Sequence, residues 1–130
     1  MKREADLVAQ SDDGKVCIYI DTEKANSILD YIGSSKKNIK RFGFIKGVVL
    51  EGLRNDCFKR EIEDNNIRDI YAMRFDLHGT NGRIYCKQVA YQNKVAYVMG
   101  ELLPSKKTEG NGPKEKSAIN RVHSYDYDCQ

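Results

Sequence analysis

Ile70-Tyr71-Ala72-Met73-Arg74-Phe75-Asp76, Arg83-Ile84-Tyr85-Cys86-Lys87-Gln88-Val89 and Val95-Ala96-Tyr97-Val98-Met99-Gly100-Glu101-Leu102-Leu103 follow one another with only short polar stretches between them. Each run is rich in β-branched and aromatic side chains, which suit a pleated, half-buried surface. The links His78-Gly79-Thr80-Asn81-Gly82 and Gln92-Asn93-Lys94 are too short to carry a crossover helix. The strands must therefore run antiparallel as a meander.

Working outward, Pro104 ends the third strand and residues 105–113 form a Gly- and Pro-containing loop. Pro113 is suited to the first position of a last short helix, expected from Lys114 to about Ser124. On the N-terminal side, Val16-Cys17-Ile18-Tyr19-Ile20 reads as a short strand after the turn signal Ser11-Asp12-Asp13-Gly14. Residues 1–15 are expected to be a flexible polar N-terminus. Asp21 or Thr22 is placed to cap a helix whose buried stripe is Ala25, Ile28, Leu29 and Ile32. Gly33-Ser34-Ser35 breaks it, and a second helix is expected from Lys36 to about Arg54, with Ile39, Phe42, Ile45, Val49 and Leu53 turned inward. The stretch from Ile62 to Asn66 is read as a connection from helix to sheet.

These elements predict an α+β two-layer sandwich: an N-terminal strand and helix pair packed on a curved, mainly antiparallel sheet, with a short C-terminal helix. The helices cover one sheet face, and the other is expected to be concave and open. At 130 residues the chain suits one domain with its own core. A hydrophobic share of 40% and a charged share of 32%, with a mean hydropathy of −0.65, describe a heavily charged surface. No apolar run approaches the roughly 20 residues of a membrane helix, and no signal-peptide core follows Met1-Lys2-Arg3-Glu4. A cytoplasmic location and no membrane partner are expected.

Charge is informative only when divided along the chain. The total is +3, from 22 basic and 19 acidic residues. Through Ser35 the acids Glu4, Asp6, Asp12, Asp13, Asp21, Glu23 and Asp30 outnumber Lys2, Arg3, Lys15 and Lys24. From there to Arg60, Lys36, Lys37, Lys40, Arg41, Lys46, Arg54, Lys59 and Arg60 face only Glu51 and Asp56. Such polarity suits a polyanion, although charged helix faces are commonly just solvated.

Cys17, Cys57, Cys86 and Cys129 stand singly, without metal or redox spacing, and with His78 and His123 they make no credible zinc set. Buried free thiols are expected, and neither a metal nor a cofactor. There is no P-loop, no dinucleotide fingerprint and no paired-carboxylate site near the basic residues.

Arg74 and Arg83 flank a turn and are expected to stand near one another. They either pair with Asp76 or Glu101 to organise the sheet, or present planar forks to a phosphate. Lys106-Lys107 leave the sheet edge, where amines either keep a loop hydrated or neutralise a phosphate. His123, Tyr125 and Tyr127 close the chain with groups able to stack or move a proton, or simply to pack a helix end. Arg, Lys, Tyr and His together can cleave RNA, whose 2′-hydroxyl is an internal nucleophile already in place.

The words Ile70-Tyr71-Ala72-Met73-Arg74-Phe75-Asp76, Gly82-Arg83-Ile84-Tyr85-Cys86 and Glu101-Leu102-Leu103-Pro104-Ser105-Lys106-Lys107-Thr108, in this order, resemble the RelE/HigB toxin superfamily. The likeness is to its phage-derived Gp49-like branch and spans roughly Asp21 to Tyr127. The resemblance implies a RelE-like fold and the toxin of a type II toxin–antitoxin system. Such a toxin is a metal-independent endoribonuclease that cuts mRNA on the ribosome, leaves 2′,3′-cyclic phosphate ends and is silenced by a cognate protein antitoxin. It implies catalytic roles for Arg74, Arg83, Lys106 or Lys107, and Tyr125 or Tyr127, with His123 a further candidate. RNA contacts are expected from Lys36, Lys37, Lys40, Arg41, Lys59, Arg60, Lys87, Lys114 and Arg121. The chain departs from the family pattern at Ala72, where glutamate is usual, in the lengthened passage from Lys107 to Glu115, and in its extra N-terminal segment. Relatives that poison gyrase without nuclease action, or a phage accessory protein that binds a partner, are the alternatives.

Overall fold

The computed structural model describes residues 2–61, 66–75, 81–105 and 112–129. The elements run β1 (Arg3–Gln10), β2 (Val16–Asp21), α1 (Ala25–Ile32), α2 (Lys36–Glu51), β3 (Phe58–Arg60), β4 (Ile70–Phe75), β5 (Gly82–Tyr91), β6 (Lys94–Leu103), α3 (Pro113–Ser124) and β7 (Tyr127–Asp128). They form an α+β fold around one mixed sheet of order β3-β4-β5-β6-β2-β1-β7. Among the described residues no helix is long and apolar enough to cross a membrane.

The β4-β5-β6 meander is antiparallel, as its short links require. Gln92 and Asn93, with φ of 49° and 63°, make the two-residue turn between β5 and β6, and positive φ at both residues gives a turn that matches the right-handed twist of paired strands. The sheet is not antiparallel throughout: β2 lies parallel to β6 and β7 parallel to β1. The helix pair returns the chain to the far side of the sheet, so the meander closes back onto β2 in the same direction.

Residues 3–10 form strand β1 rather than the flexible segment expected of residues 1–15. The strand pairs antiparallel with β2, but its register slips between Leu7 and Ala9 and only Ala5 is buried. Backbone hydrogen bonding holds this strand, so hydrophobic alternation carries almost no sign of it. The three-residue strand β3 is likewise invisible to periodicity. Part of the connection after it, residues 62–65, lies outside the described residues.

The helix pair covers one face through Ile28, Ile32, Ile45, Val48 and Val49, packed on Ile18, Ile20, Met73, Phe75, Ile84, Cys86 and Met99. Three residues expected inward instead face out: Leu29, Ile39 and Leu53. α2 stops at Glu51 because Gly52 adopts φ +68°, with its N–H on the Val49 carbonyl and that of Leu53 on the Val48 carbonyl. This six-to-one closure satisfies the last carbonyls, favours glycine, and turns Leu53 out of the helix. Nor does Asp21 or Thr22 cap α1: Lys24 holds that position without a side-chain bond, while Asp21 Oδ1 accepts the Glu23 N–H at 2.9 Å.

The opposite sheet face is roofed rather than open. α3 packs Ala118, Ile119 and Val122 on Ile70, Ala72 and Tyr85. The tail packs Tyr127 and Cys129 beside Ala5, Cys17, Tyr19, Ala96 and Val98. A bulge in β6 decides which side chains meet this roof. Tyr85 pairs with Glu101 but Cys86 with Met99, leaving Gly100 as the extra residue. Met99 therefore faces the helix pair while Glu101 faces α3, and a Cβ on Gly100 would lie 2.7 Å from the Tyr127 hydroxyl. All four cysteines are free and buried.

Candidate functional site

Arg74 and Arg83 are direct register partners across β4 and β5. Opposed residues of an antiparallel pair share a face, and this face is the one under α3, shared with Ala72 and Tyr85. Arg83 is 7% exposed, and its Nη1 donates to the carbonyls of Asn81 (3.1 Å) and Gly82 (3.2 Å). Arg74 is half-buried. Its Nη2 stands 3.9 Å from Glu61 Oε1, beyond hydrogen-bond reach, and its Nε is buried with no hydrogen-bond partner among the described residues. A buried guanidinium nitrogen left this way is costly, and marks a place where an acceptor is wanted.

The carboxylate beside Arg74 is Glu61, at 3.9 Å, while Glu101, an expected partner of these arginines, pairs with Lys24 and Arg121. Glu61, directly after β3, and Glu115, in the first turn of α3, are both buried. With Arg74 and Arg83 they act on Tyr85, whose hydroxyl is also buried without a hydrogen-bond partner among the described residues. Burial pushes the Tyr85 phenol well above its ordinary value and Glu61 adds to this, while Arg83 opposes it. From α2, Arg41 donates Nε to the Arg74 carbonyl at 3.0 Å, tying the helix pair to the same corner. No periodicity flags Glu61, Tyr85 or Glu115, because the corner assembles from β3, β5 and α3.

The C-terminal candidates lie elsewhere on this face and are already engaged. Tyr127 donates its hydroxyl to Asp21 Oδ2 at 2.7 Å, and Arg3 Nε donates to the same oxygen at 2.7 Å. Asp21 is wholly buried. The Arg3 guanidinium lies 4.0 Å above the Tyr125 ring, and Tyr125 donates to Glu101 Oε2 at 3.1 Å. Glu101 is paired further with Lys24 at 3.1 Å and with Arg121 at 2.7 Å. Burial, then the bond to Asp21, pushes the Tyr127 phenol far up; burial and the Glu101 charge push that of Tyr125 up. Both tyrosines thus donate their hydroxyls to buried carboxylates. Lys87 donates Nζ to the carbonyls of His123 and Tyr125, and His123 Nδ1 meets Asp69 Oδ1 at 2.8 Å. Lys87, Arg121 and His123 each fasten α3 or the tail to the sheet, while Arg121 and His123 keep exposed side chains.

The remaining cations divide by place. Lys36, Lys37 and Lys40 are exposed along the first half of α2, Lys114 is exposed at the start of α3, and Lys59 and Arg60 are exposed on the edge strand β3. Lys106 and Lys107 lie outside the described residues, as do Asp76 and His78. Among the described residues no group of three His, Cys, Asp or Glu side chains could hold a metal ion. Comparison with protein-family models, curated proteins and solved structures returns no match.

Proposed function

We propose that this chain has a RelE-like fold and is the toxin of a type II toxin–antitoxin system, cutting mRNA on the ribosome without a metal. The observation that carries the reading is the Arg74–Arg83 register pair on one face, with Arg74 Nε buried and without a hydrogen-bond partner among the described residues. The sequence words around these residues supply the family resemblance. In this reading the two guanidinia hold the scissile phosphate and stabilise the charge of the crowded phosphorane. The 2′-oxygen bonds to phosphorus while the bond from phosphorus to the 5′-oxygen breaks. Glu61 takes the 2′-hydroxyl proton, and a water molecule gives a proton to the departing 5′-oxygen, leaving a 2′,3′-cyclic phosphate and a 5′-hydroxyl end. The ribosome, holding the message, supplies the order that this small corner does not. A protein antitoxin silences the toxin by placing carboxylates over the arginines.

Inducible expression with mapping of transcript 5′ ends tests this. Wild-type protein arrests growth and leaves cleaved transcripts, while Arg74→Ala and Arg83→Ala each abolish both and remain folded. Undiminished toxicity in both variants overturns the assignment, as does arrest with DNA-damage signalling and intact transcripts.

A further inference from the structure

Because α2 stops at Glu51, the sheet face beyond its end is left uncovered. A cleft of about 850 Å³ opens there, between Val48, Val49 and Leu53 of the helix end and the rings of Phe58, Tyr71 and Tyr97. Its volume falls within the usual range of small-ligand sites, roughly 300–1,000 Å³. Phe58 and Tyr71 are stacked, 5.1 Å apart and 14° from parallel, and Tyr97 stands edge-on to both. All three rings are half-buried, so the cluster is held in place yet still presents aromatic surface.

The rim is cationic. Arg54, Lys59 and Arg60 line it, and Asp56 is the acid that lines it with them. Asp56 is bound to Lys59 at 2.8 Å, with both side chains largely exposed; such pairs hold weakly and exchange readily. The Arg60 guanidinium lies 5.7 Å from the Tyr71 ring centre and its Nη2 is 3.4 Å from the Tyr71 hydroxyl. A flat aromatic floor with exposed cations at its rim matches a base with its phosphates. A purely apolar ligand would leave the cations idle.

We propose that this cleft is a second nucleic-acid site that stacks one unpaired base of single-stranded RNA, with its flanking phosphates on Arg54 and Arg60. The choice of RNA rests on the nuclease reading; the base-and-phosphate chemistry does not. Strand β3 supplies the link between the two sites. Phe58 and Arg60 point to the cleft, and the next residue, Glu61, faces Arg74 on the other side of the sheet. With β3 at the edge, a strand of RNA passing around that edge meets both sites.

The experiment titrates full-length protein, in an Arg83→Ala background so that it can be expressed, with single-stranded hexa-adenylate. Ring proton resonances are followed by nuclear magnetic resonance, and affinity by fluorescence anisotropy. Resonances of Phe58, Tyr71 and Tyr97 should move upfield, and Phe58→Leu should weaken binding about tenfold, the scale of one lost base–aromatic stack. The exposed pair Arg54→Ala/Arg60→Ala keeps the test open should Phe58→Leu fail to fold. It should lower the slope of log affinity against log salt by about 1.4, the share of two single-strand phosphates. Ring resonances that stay still while RNA binds overturn the proposal. So does equal binding of duplex RNA, or a response of the rings to a copurifying protein partner but not to RNA. A failed cleft with Arg83-dependent cleavage intact leaves the nuclease reading standing; moving rings without any cleavage in cells do the reverse.

Discussion

Two regions under the C-terminal helix are built from the same side chains and differ in how completely those side chains are satisfied. Around Asp21 and Glu101, the arginine, tyrosines and carboxylates close on one another: Arg3 and Tyr127 share one oxygen of Asp21, and Tyr125, Lys24 and Arg121 converge on Glu101. Around Arg74 and Arg83 the pieces are again arginine, tyrosine and carboxylate, yet Arg74 Nε and the Tyr85 hydroxyl are buried without hydrogen-bond partners among the described residues. Residue type therefore does not separate a fold-holding cluster from a candidate site. Saturation does: closed hydrogen bonding lowers the energy of the folded chain, and an unfilled donor waits for something else.

The largest effect should come from breaking the closed cluster. Asp21→Ala leaves the buried Tyr127 hydroxyl without its acceptor and takes one carboxylate from Arg3, which is 22% exposed and keeps Glu23 at 3.1 Å; it should cost about 3 kcal/mol in urea unfolding, the low end for a buried pair deprived of one partner. A loss below about 1 kcal/mol would show that the cluster is not closed after all. The same substitution logic at the arginine corner should read out in activity. Arg74→Ala, which removes a partly unsatisfied group, should lower cleavage about 100- to 1,000-fold, as for loss of a transition-state donor, with the unfolding midpoint little changed.

A smaller effect tests the bulge that joins the regions. In Gly100→Ala the new Cβ would press on the Tyr127 hydroxyl and on Val122, and overpacking of this kind costs about 1–3 kcal/mol. Tyr127→Phe in the same chain should recover part of it, since the hydroxyl is the atom crowded; strict additivity of the two would refute the contact.

The smallest concerns pH. Burial alone raises the Glu101 carboxyl, but the hydrogen bonds and charges of Arg121 and Lys24 outweigh it and hold the group below its ordinary value of 4.5. A folded value lower than the unfolded one means that the unfolded chain binds the proton first. The contribution is then full above about pH 4.5 and is lost as the pH falls through the folded value. Glu101→Gln should flatten that acid limb of a stability–pH curve, and an unchanged limb would assign it to other carboxylates.

Local pattern made much of the fold legible. Alternating apolar runs and short turns specify β4 to β6, and the Ile28 and Ile32 spacing specifies the inner face of α1. Arg74 and Arg83 were legible as neighbours because a hairpin register brings them together. Glu61, Tyr85 and Glu115 were not, since no local spacing relates three elements that meet only after packing. Tyr125, Tyr127, His123, Lys87 and Arg121 carry the right chemistry in the sequence, but their partners Glu101, Asp21 and Asp69 lie 18 to 106 positions away.

By itself the sequence determined an α+β chain with a helix pair, a meander and a C-terminal helix, because periodicity and turn chemistry act over a few residues. Only the tertiary structure decided that β2 joins β6 in parallel, that a polar N-terminus becomes β1, and that the open face is roofed. It also decided which of two similar clusters is closed. Those outcomes depend on which distant backbone edges and charged groups reach one another, a matter of three-dimensional packing that no short stretch of residues encodes.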